Sequence, residues 1–356
     1  MVTKPTFLTF IIRIFIISFW VFAIIFFLSL GRVASWFANK RAISVLTWTR
    51  VIDEQKVKEF ERRTGITVYL NYFESNEELL TKLRFSNENY DLIMPSDFMT
   101  EKLIQDGMLK KLNKRELASI LETISPELLG HYFDPNNDYS IPCLWDLYGI
   151  GINKNFFNNR ALRATWDLIF DKDVTPGHAA MTNDPREVIL LAALYLFGSI
   201  DNLDEKKLKK IETLLVQQKR WVEAYTDLRA DYLLASGTSP VALLPLSYVI
   251  RSLRFFDYLS FLLPMPTFIL IDSFVIPATS KRDDLVYEFI RYLLQKEVAM
   301  HHFSTFGFLP TRADVFDAVK VPQIDLEKLN WKKLEFFRNV ISPSQLNLIW
   351  RAIKAA

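Results

Sequence analysis

The chain has 356 residues, half of them hydrophobic, which is enough for one large domain or two medium lobes. Its formal net charge of +2 hides an asymmetry: the first 41 residues hold five bases (Lys4, Arg13, Arg32, Lys40 and Arg41) and no acid, so the remainder is slightly acidic. A body without a basic excess has nothing to neutralise phosphates, which excludes nucleic acid as a partner, and a single cysteine, Cys143, excludes an internal disulfide and a cysteine-rich metal site.

Residues Ile14 to Leu30 form 17 positions without a charge, flanked by bases. At about 1.5 Å per residue this approaches the hydrocarbon thickness of a bilayer. Residues 1–41 are therefore expected to be a signal peptide or an N-terminal membrane anchor, with export from the cytoplasm in either case.

Past this segment, Ser44 to Trp48 predicts a buried strand and Asp53 to Thr64 a helix stopped by Gly65. Ile66 to Leu70 predicts a second strand. The capping box Ser75-Asn76-Glu77-Glu78 starts a helix running to about Phe85. Tyr90 to Met94 is a third strand, and Pro95-Ser96-Asp97 opens a helix ending at Gly107. Strand and helix repeated three times is the pattern of a parallel sheet with helices on both faces. Ligands of such sheets sit beyond the carboxyl ends of the strands, which places the junctions at Trp48 and at Ser96-Asp97-Phe98 where a ligand would be.

Phe133 to Ser140 is a polar interval. Asp134, Asn136, Asn137 and Asp138 offer oxygens of the kind calcium takes, but Pro135 and the missing glycine and terminal glutamate favour a plain turn. Tyr148 to Asn153 predicts a strand long enough to cross between lobes, and Thr267 to Ala278 a second crossing. Asp204 to Trp221 is an amphipathic helix, Asp284 to about His301 another, and Leu326 to Ala355 two more. The His301-His302 pair, whose rings point apart on a helix, is expected at the surface or at an interface, and the four histidines (with His131 and His178) show no metal-ligand spacing. The fold class is thus α/β with two discontinuous lobes joined by two hinge strands: 42–146 and 271–316 in the first lobe, 147–270 and 317–356 in the second.

The run Thr182-Asn183-Asp184-Pro185-Arg186-Glu187-Val188 admits two readings. Asp184 is a good N-cap, Pro185 suits the first helical position, and Glu187 can complete a capping box. Alternatively, two carboxylates at a strand-to-helix junction face a cleft and receive a cation.

The blocks FDPNNDYSIP (133–142), TGITV, YDLIMPS, YGIGIN, TNDPREV, IDSFVIPA and GFLPTR together resemble the spermidine/putrescine-binding proteins of polyamine ABC importers, in the same order and over roughly Ser44 to Lys354. The resemblance implies the type II periplasmic-binding-protein fold, each lobe a mixed or parallel sheet flanked by helices. It also implies a monomeric, non-catalytic periplasmic receptor without cofactor or metal, which hands a polyamine to an inner-membrane permease. Carried over by position, the ligand-binding residues fall at Trp48, Ser96, Asp184, Glu187 and Asp272, with Phe98 and Phe308 where the family has tyrosine. The chain departs from the family at Val51, Leu270 and Pro245, where further rings are usual. It departs again at Arg351, where a glutamine is usual and a fixed cation would repel a ligand ammonium or pair with Asp184, Glu187 or Asp272. A different small cationic ligand, a membrane-anchored sensor, or an enzyme using Cys143 on the same scaffold stay open as alternatives.

Overall fold

The computed structural model describes residues 15–20, 22, 41–86, 88–175, 177–226, 230–321 and 324–356. The chain divides into an N-terminal unit, Met1–Ala42, and a main unit, Ile43–Ala356. In the first, residues 15–20 and 22 are helical and exposed; the rest of the expected apolar run Ile14 to Leu30 lies outside the described residues. Among the described residues no helix is long and apolar enough to cross a membrane.

The main unit opens as the hydrophobic periodicity predicts. Strand β1 (Ala42–Trp48) leads into helix α1 (Glu54–Thr64). Asp53 caps the helix by accepting from Gln55 N, Val57 and Phe60 are its buried residues, and Gly65 ends it at φ 70° with its N–H on Glu61 O. After β2 (Thr67–Phe73) comes α2 (Asn76–Phe85), where Ser75 accepts from Glu78 N. Glu78 reaches back to Glu74 N, one residue beyond the expected capping-box partner. Strand β3 (Leu92–Ile93) pairs in parallel with β1, and α3 (Asp97–Gln105) follows with Ser96 as its N-cap and Asp97 at the first helical position.

Two long strands then organise everything else. Strand β4 (Ser140–Asn153) starts eight residues before the crossing segment read from the sequence, because the run from Ile141 to Leu147 is also almost wholly buried. Its first half, Ser140 to Leu147, pairs antiparallel with β9 (Thr267–Val275). Its second half changes partners and pairs with β7 (Val241–Pro245) on one side and β8 (Leu259–Leu262) on the other. Strands β5 (Ala179–Met181) and β6 (Val222–Tyr225) extend the second lobe in parallel with β7. The hydrogen-bonded order among the described residues is β2-β1-β3-β9-β4-β7-β5-β6, so β4 and β9 belong to both lobes.

The polar interval is the expected turn, knitted by Asp134, whose carboxylate accepts from the backbone N–H groups of Asp138, Tyr139 and Ser140 and from Ser140 Oγ. Other expectations are corrected. The helix expected from Asp284 to His301 is two, Asp283–Leu293 and Lys296–Phe306. The histidine pair on the second of these takes the interface alternative and is half-buried. His301 Nε2 meets Asp53 Oδ2 at 2.7 Å, and His302 Nε2 accepts from Asp53 N, so both rings bind the start of α1. Burial lowers the His302 pKa to about 4, which keeps that ring a neutral acceptor. At the C-terminus one helix forms, Pro343–Ala355, with a capping box between Ser342 and Gln345. The segment before it is two 3₁₀ turns and a short strand, Leu334–Glu335, paired with the start of β9. Packing overrides helical periodicity there: an extended backbone lets Phe337 stack on Phe268 at 4.0 Å, with both rings fully buried.

The crossing strand leaves no room at Gly149. A Cβ added there would lie 2.3 Å from Phe261 Cζ and 2.6 Å from Leu262 O of the neighbouring β8. Gly149→Ala is therefore expected to destabilise the protein by roughly 1–3 kcal/mol through overpacking. Urea unfolding checks this, and a midpoint equal to that of the parent would contradict the close approach.

Candidate functional site

The carboxyl ends of β1 and β2, the N-termini of α2 and α3, and the junction at Thr182 to Glu187 face one another across the crossing strands. They enclose a cavity of about 310 Å³. The register of the crossing strands builds its floor. Leu144 pairs with Asp272 and Asp146 with Leu270, and because side chains alternate along a strand, all four project to the same side, into the cavity. Tyr148, two residues further along β4, continues that row.

All seven residues carried over from the sequence line this one cavity: Trp48, Ser96, Phe98, Asp184, Glu187, Asp272 and Phe308. Val51, Leu270 and Pro245 line it too, so the positions where rings were expected are in the wall without them. Arg351 is exposed on the C-terminal helix and is not among the lining residues, which removes it as a neutraliser of the acids.

Asp184 is the expected N-cap, both carboxylates line the cavity, and the expected capping box does not form. The helix Pro185–Phe197 has Asp184 as its N-cap, Pro185 in its first turn and Gly198 as its stop. Asp184 Oδ1 accepts from Arg186 N at 2.7 Å and Glu187 N at 3.2 Å. Glu187 does not close a capping box; its Oε2 accepts from Thr182 Oγ1 at 2.6 Å and from the Tyr148 hydroxyl. That carboxylate is thereby aimed at the floor of the cavity rather than back at the helix end.

The electrostatics are one-sided. Six carboxylates line the cavity (Glu74, Glu77, Asp146, Asp184, Glu187 and Asp272), and among the described lining residues there is no Lys, Arg or His. Burial raises Asp184 to about 6, with the Glu77 charge adding to it and the N–H groups of Glu187 and Arg186 and the Arg186 charge opposing it. Burial raises Asp146 to about 7 despite hydrogen bonds from Ser247 and Leu147. Asp272 is pushed well above the carboxylate range by burial and then by the charges of Asp97 and Asp146. Its side chain accepts no hydrogen bond among the described residues, and the buried Trp48 Nε1 and Ser96 Oγ also lack partners. Such groups are costly to leave unsatisfied, so a site built from them is arranged for something that is to be bound.

Across the cavity edge the lobes touch. The Arg186 guanidinium stands over the Phe98 ring, 4.4 Å from its centroid, and Asn339 Nδ2 donates to Phe98 O and to Glu101 Oε2. One face of Phe98 is thus already occupied by a cation of the protein itself.

Sequence reasoning missed Asp146, Tyr148, Asn76, Glu74 and Glu77. A lone aspartate inside the apolar run from Ile141 to Asn153 was a usable signal, since a carboxylate is not buried there without a purpose. The Glu74 to Glu77 turn follows β2 as Trp48 follows β1, so the rule that pointed to Trp48 applied equally to it.

A two-lobe α/β body whose hinge strands floor a charged cleft is the architecture of a receptor that receives a small solute. The model of the bacterial extracellular solute-binding protein family matches residues 55–326, and the chain belongs to that family. It is 26% identical to the spermidine/putrescine-binding periplasmic protein of Escherichia coli over 314 residues, covering 88% of this chain and 89% of that one. It is 27% identical to the putrescine/cadaverine-binding protein of Pseudomonas aeruginosa over 335 residues, covering 87% and 92% respectively. Among solved structures, a putative spermidine/putrescine ABC transporter protein from Listeria monocytogenes superposes with a TM-score of 0.77 at 24% identity, over 89% of this chain and 98% of that one. That likeness establishes the two-lobe fold.

The raised carboxyls have a thermodynamic consequence. Asp146 and Asp184 bind protons more tightly folded than unfolded, so their contribution favours the folded state at acid pH. It is lost progressively as pH rises from about 4, where these carboxyls ionise in the unfolded chain, up to about 6 to 7. In the ligand-free protein, Asp184→Asn is expected to flatten the fall in melting temperature across that window. Thermal melts in a pH series check this, and superimposable profiles for parent and variant would contradict the raised Asp184.

Proposed function

We propose that the protein is an extracytoplasmic receptor of an ABC importer that holds a polyamine, or a closely related small cationic amine, in the cleft and delivers it to a membrane permease. The observation that carries this reading is the cavity lined by six carboxylates with no base among the described lining residues. A polyamine is a chain of ammonium groups and methylenes. Carboxylates take the ammoniums by charge-assisted hydrogen bonds, strengthened where water is excluded, and ring faces take both methylenes and cations. In this reading Asp184, Glu187 and Asp272 hold ammoniums, Ser96 offers its unpartnered hydroxyl, and Trp48, Phe98 and Phe308 supply the apolar and cation–π walls. The relatives named above support the amine, since their names specify spermidine, putrescine or cadaverine.

The departures weaken the grip without changing its sign. Val51, Leu270 and Pro245 remove ring contacts worth about 0.5–2 kcal/mol each. Phe98 and Phe308 have no hydroxyl to donate. The lobe boundaries proposed are 42–146 with 271–316 and 147–270 with 317–356. The change of β4 partners at Leu147/Tyr148 supports them. Residues 1–41 are proposed as the export signal or anchor, and the receptor as a non-catalytic monomer with no cofactor. Cys143 supports no thiol chemistry: its Sγ donates to the main-chain oxygen of Asp272, and burial raises the thiol well above its ordinary value, away from the reactive thiolate.

Putrescine or spermidine should stabilise the full-length chain by about 2.7 kcal/mol at a hundredfold excess over Kd. Asp184→Asn with Glu187→Gln should abolish that gain while changing the ligand-free melting temperature little, because asparagine caps a helix about as well as aspartate. Differential scanning calorimetry reads both quantities. A parent chain that neither amine stabilises would overturn the amine assignment.

A further inference from the structure

Three residues at the cavity rim are unaccounted for by the sites above. Glu74 and Glu77 come from the turn between β2 and α2, are exposed, and face the cavity. Among the described residues neither carboxylate accepts a hydrogen bond or meets a base within ion-pair distance. Between them in sequence sits Asn76, only 6% exposed, which also lines the cavity and whose Oδ1 has no partner. On the opposite lobe, the Asp184 carboxyl feels the Glu77 charge. The rim therefore presents like charges from two lobes with an unsatisfied buried amide oxygen beside them. Like charges facing across a narrow gap repel, and an unpaired buried carbonyl is costly; a cation seated between them relieves both.

We propose that Glu74, Asn76 and Glu77, with Asp184 across the gap, form an outer ammonium subsite, separate from the floor at Asp146 and Asp272. This rests on the amine-receptor reading. The chemistry favours an ammonium over a metal ion. The acceptors are spread across two elements rather than converging, and among the described residues no group of three His, Cys, Asp or Glu side chains is placed to hold a metal. A tetrahedral ammonium at the end of a flexible chain can reach one carboxylate and one carbonyl on one lobe and a carboxylate on the other. Occupying the rim thus ties lobe to lobe. It also makes the cleft selective for length, because only a ligand that spans from floor to rim gains from it.

The test uses two amines of equal charge and different reach, 1,4-diaminobutane and 1,8-diaminooctane, titrated calorimetrically into the full-length chain and into Glu74→Gln/Glu77→Gln. Both positions are exposed, so the variant keeps the fold. The variant is expected to bind the long diamine about fivefold more weakly and the short one within about twofold of the parent, the scale of losing partly exposed charge pairs. Equal losses for the two diamines would mean only a long-range field effect, and no loss for either would mean no contact; each overturns the outer subsite alone. A parent chain that binds neither diamine overturns the amine-receptor reading and this subsite with it.

Discussion

The antiparallel ladder between β4 and β9 is the constraint from which the rest of the molecule follows. It is the stretch where the chain belongs to both lobes. Its register decides which side chains face the gap between them. A slip of β9 by one residue would turn Asp272 and Leu270 to the other side of the sheet. The ladder is protected from slipping by burial, since Trp145, Leu147, Ile269 and Ile271 occupy the alternate positions and are almost wholly buried. Its continuation at Gly149 admits β8 so closely that no side chain fits between them.

On that floor the protein keeps carboxylates in a setting that disfavours their charge. Burial raises Asp146, Asp184 and Asp272, the Glu77 charge adds to it at Asp184 and the charges of Asp97 and Asp146 at Asp272, and only hydrogen bonds from backbone N–H groups and Ser247 and the Arg186 charge oppose it. In a protein selected only for stability these positions would be apolar or paired. In the proposed receptor, a bound cation would convert this unfavourable arrangement into a favourable one. Affinity in such a cleft comes from relief of a pre-existing electrostatic penalty as much as from new contacts. The same logic explains why the two lobes meet through Arg186 over Phe98 and Asn339 on the Phe98 carbonyl, at the edge rather than in the centre. Arg186, like Lys354 on Asn183 and Arg251 over Tyr248, stands behind or beside lining residues and is not itself part of the lining.

The double use of Asp184 shows how local and tertiary demands coincide. An N-cap must sit where a strand turns into a helix, and in a sheet of this kind that is also where ligands arrive. One oxygen of the carboxylate serves the helix while the side chain still lines the cleft. Glu187, three residues on, would complete a capping box in isolation. Thr182 and Tyr148 recruit it instead.

Read alone, the chain determined its alternation of strands and helices, its two crossings and the junctions where a ligand belongs, because those depend on local periodicity, caps and stops. Asp53, Ser75, Asp184 and the glycines at 65 and 198 mark element ends by chemistry contained within a few residues. Of the set carried by the family resemblance, Trp48, Ser96, Phe98, Asp184 and Glu187 fell at such junctions, and Asp272 within β9 did not. Tertiary structure decided what no short window holds. The His301-His302 pair bonds to Asp53, some 250 residues away in sequence. Phe337 draws its segment out of a helix to stack on Phe268. Asp146 faces the cavity only because its strand pairs in one register, and Arg351 points away from it because of how the last helix packs. Side-chain direction at such positions is set by contacts between segments far apart in the chain, and those form only once the lobes have folded.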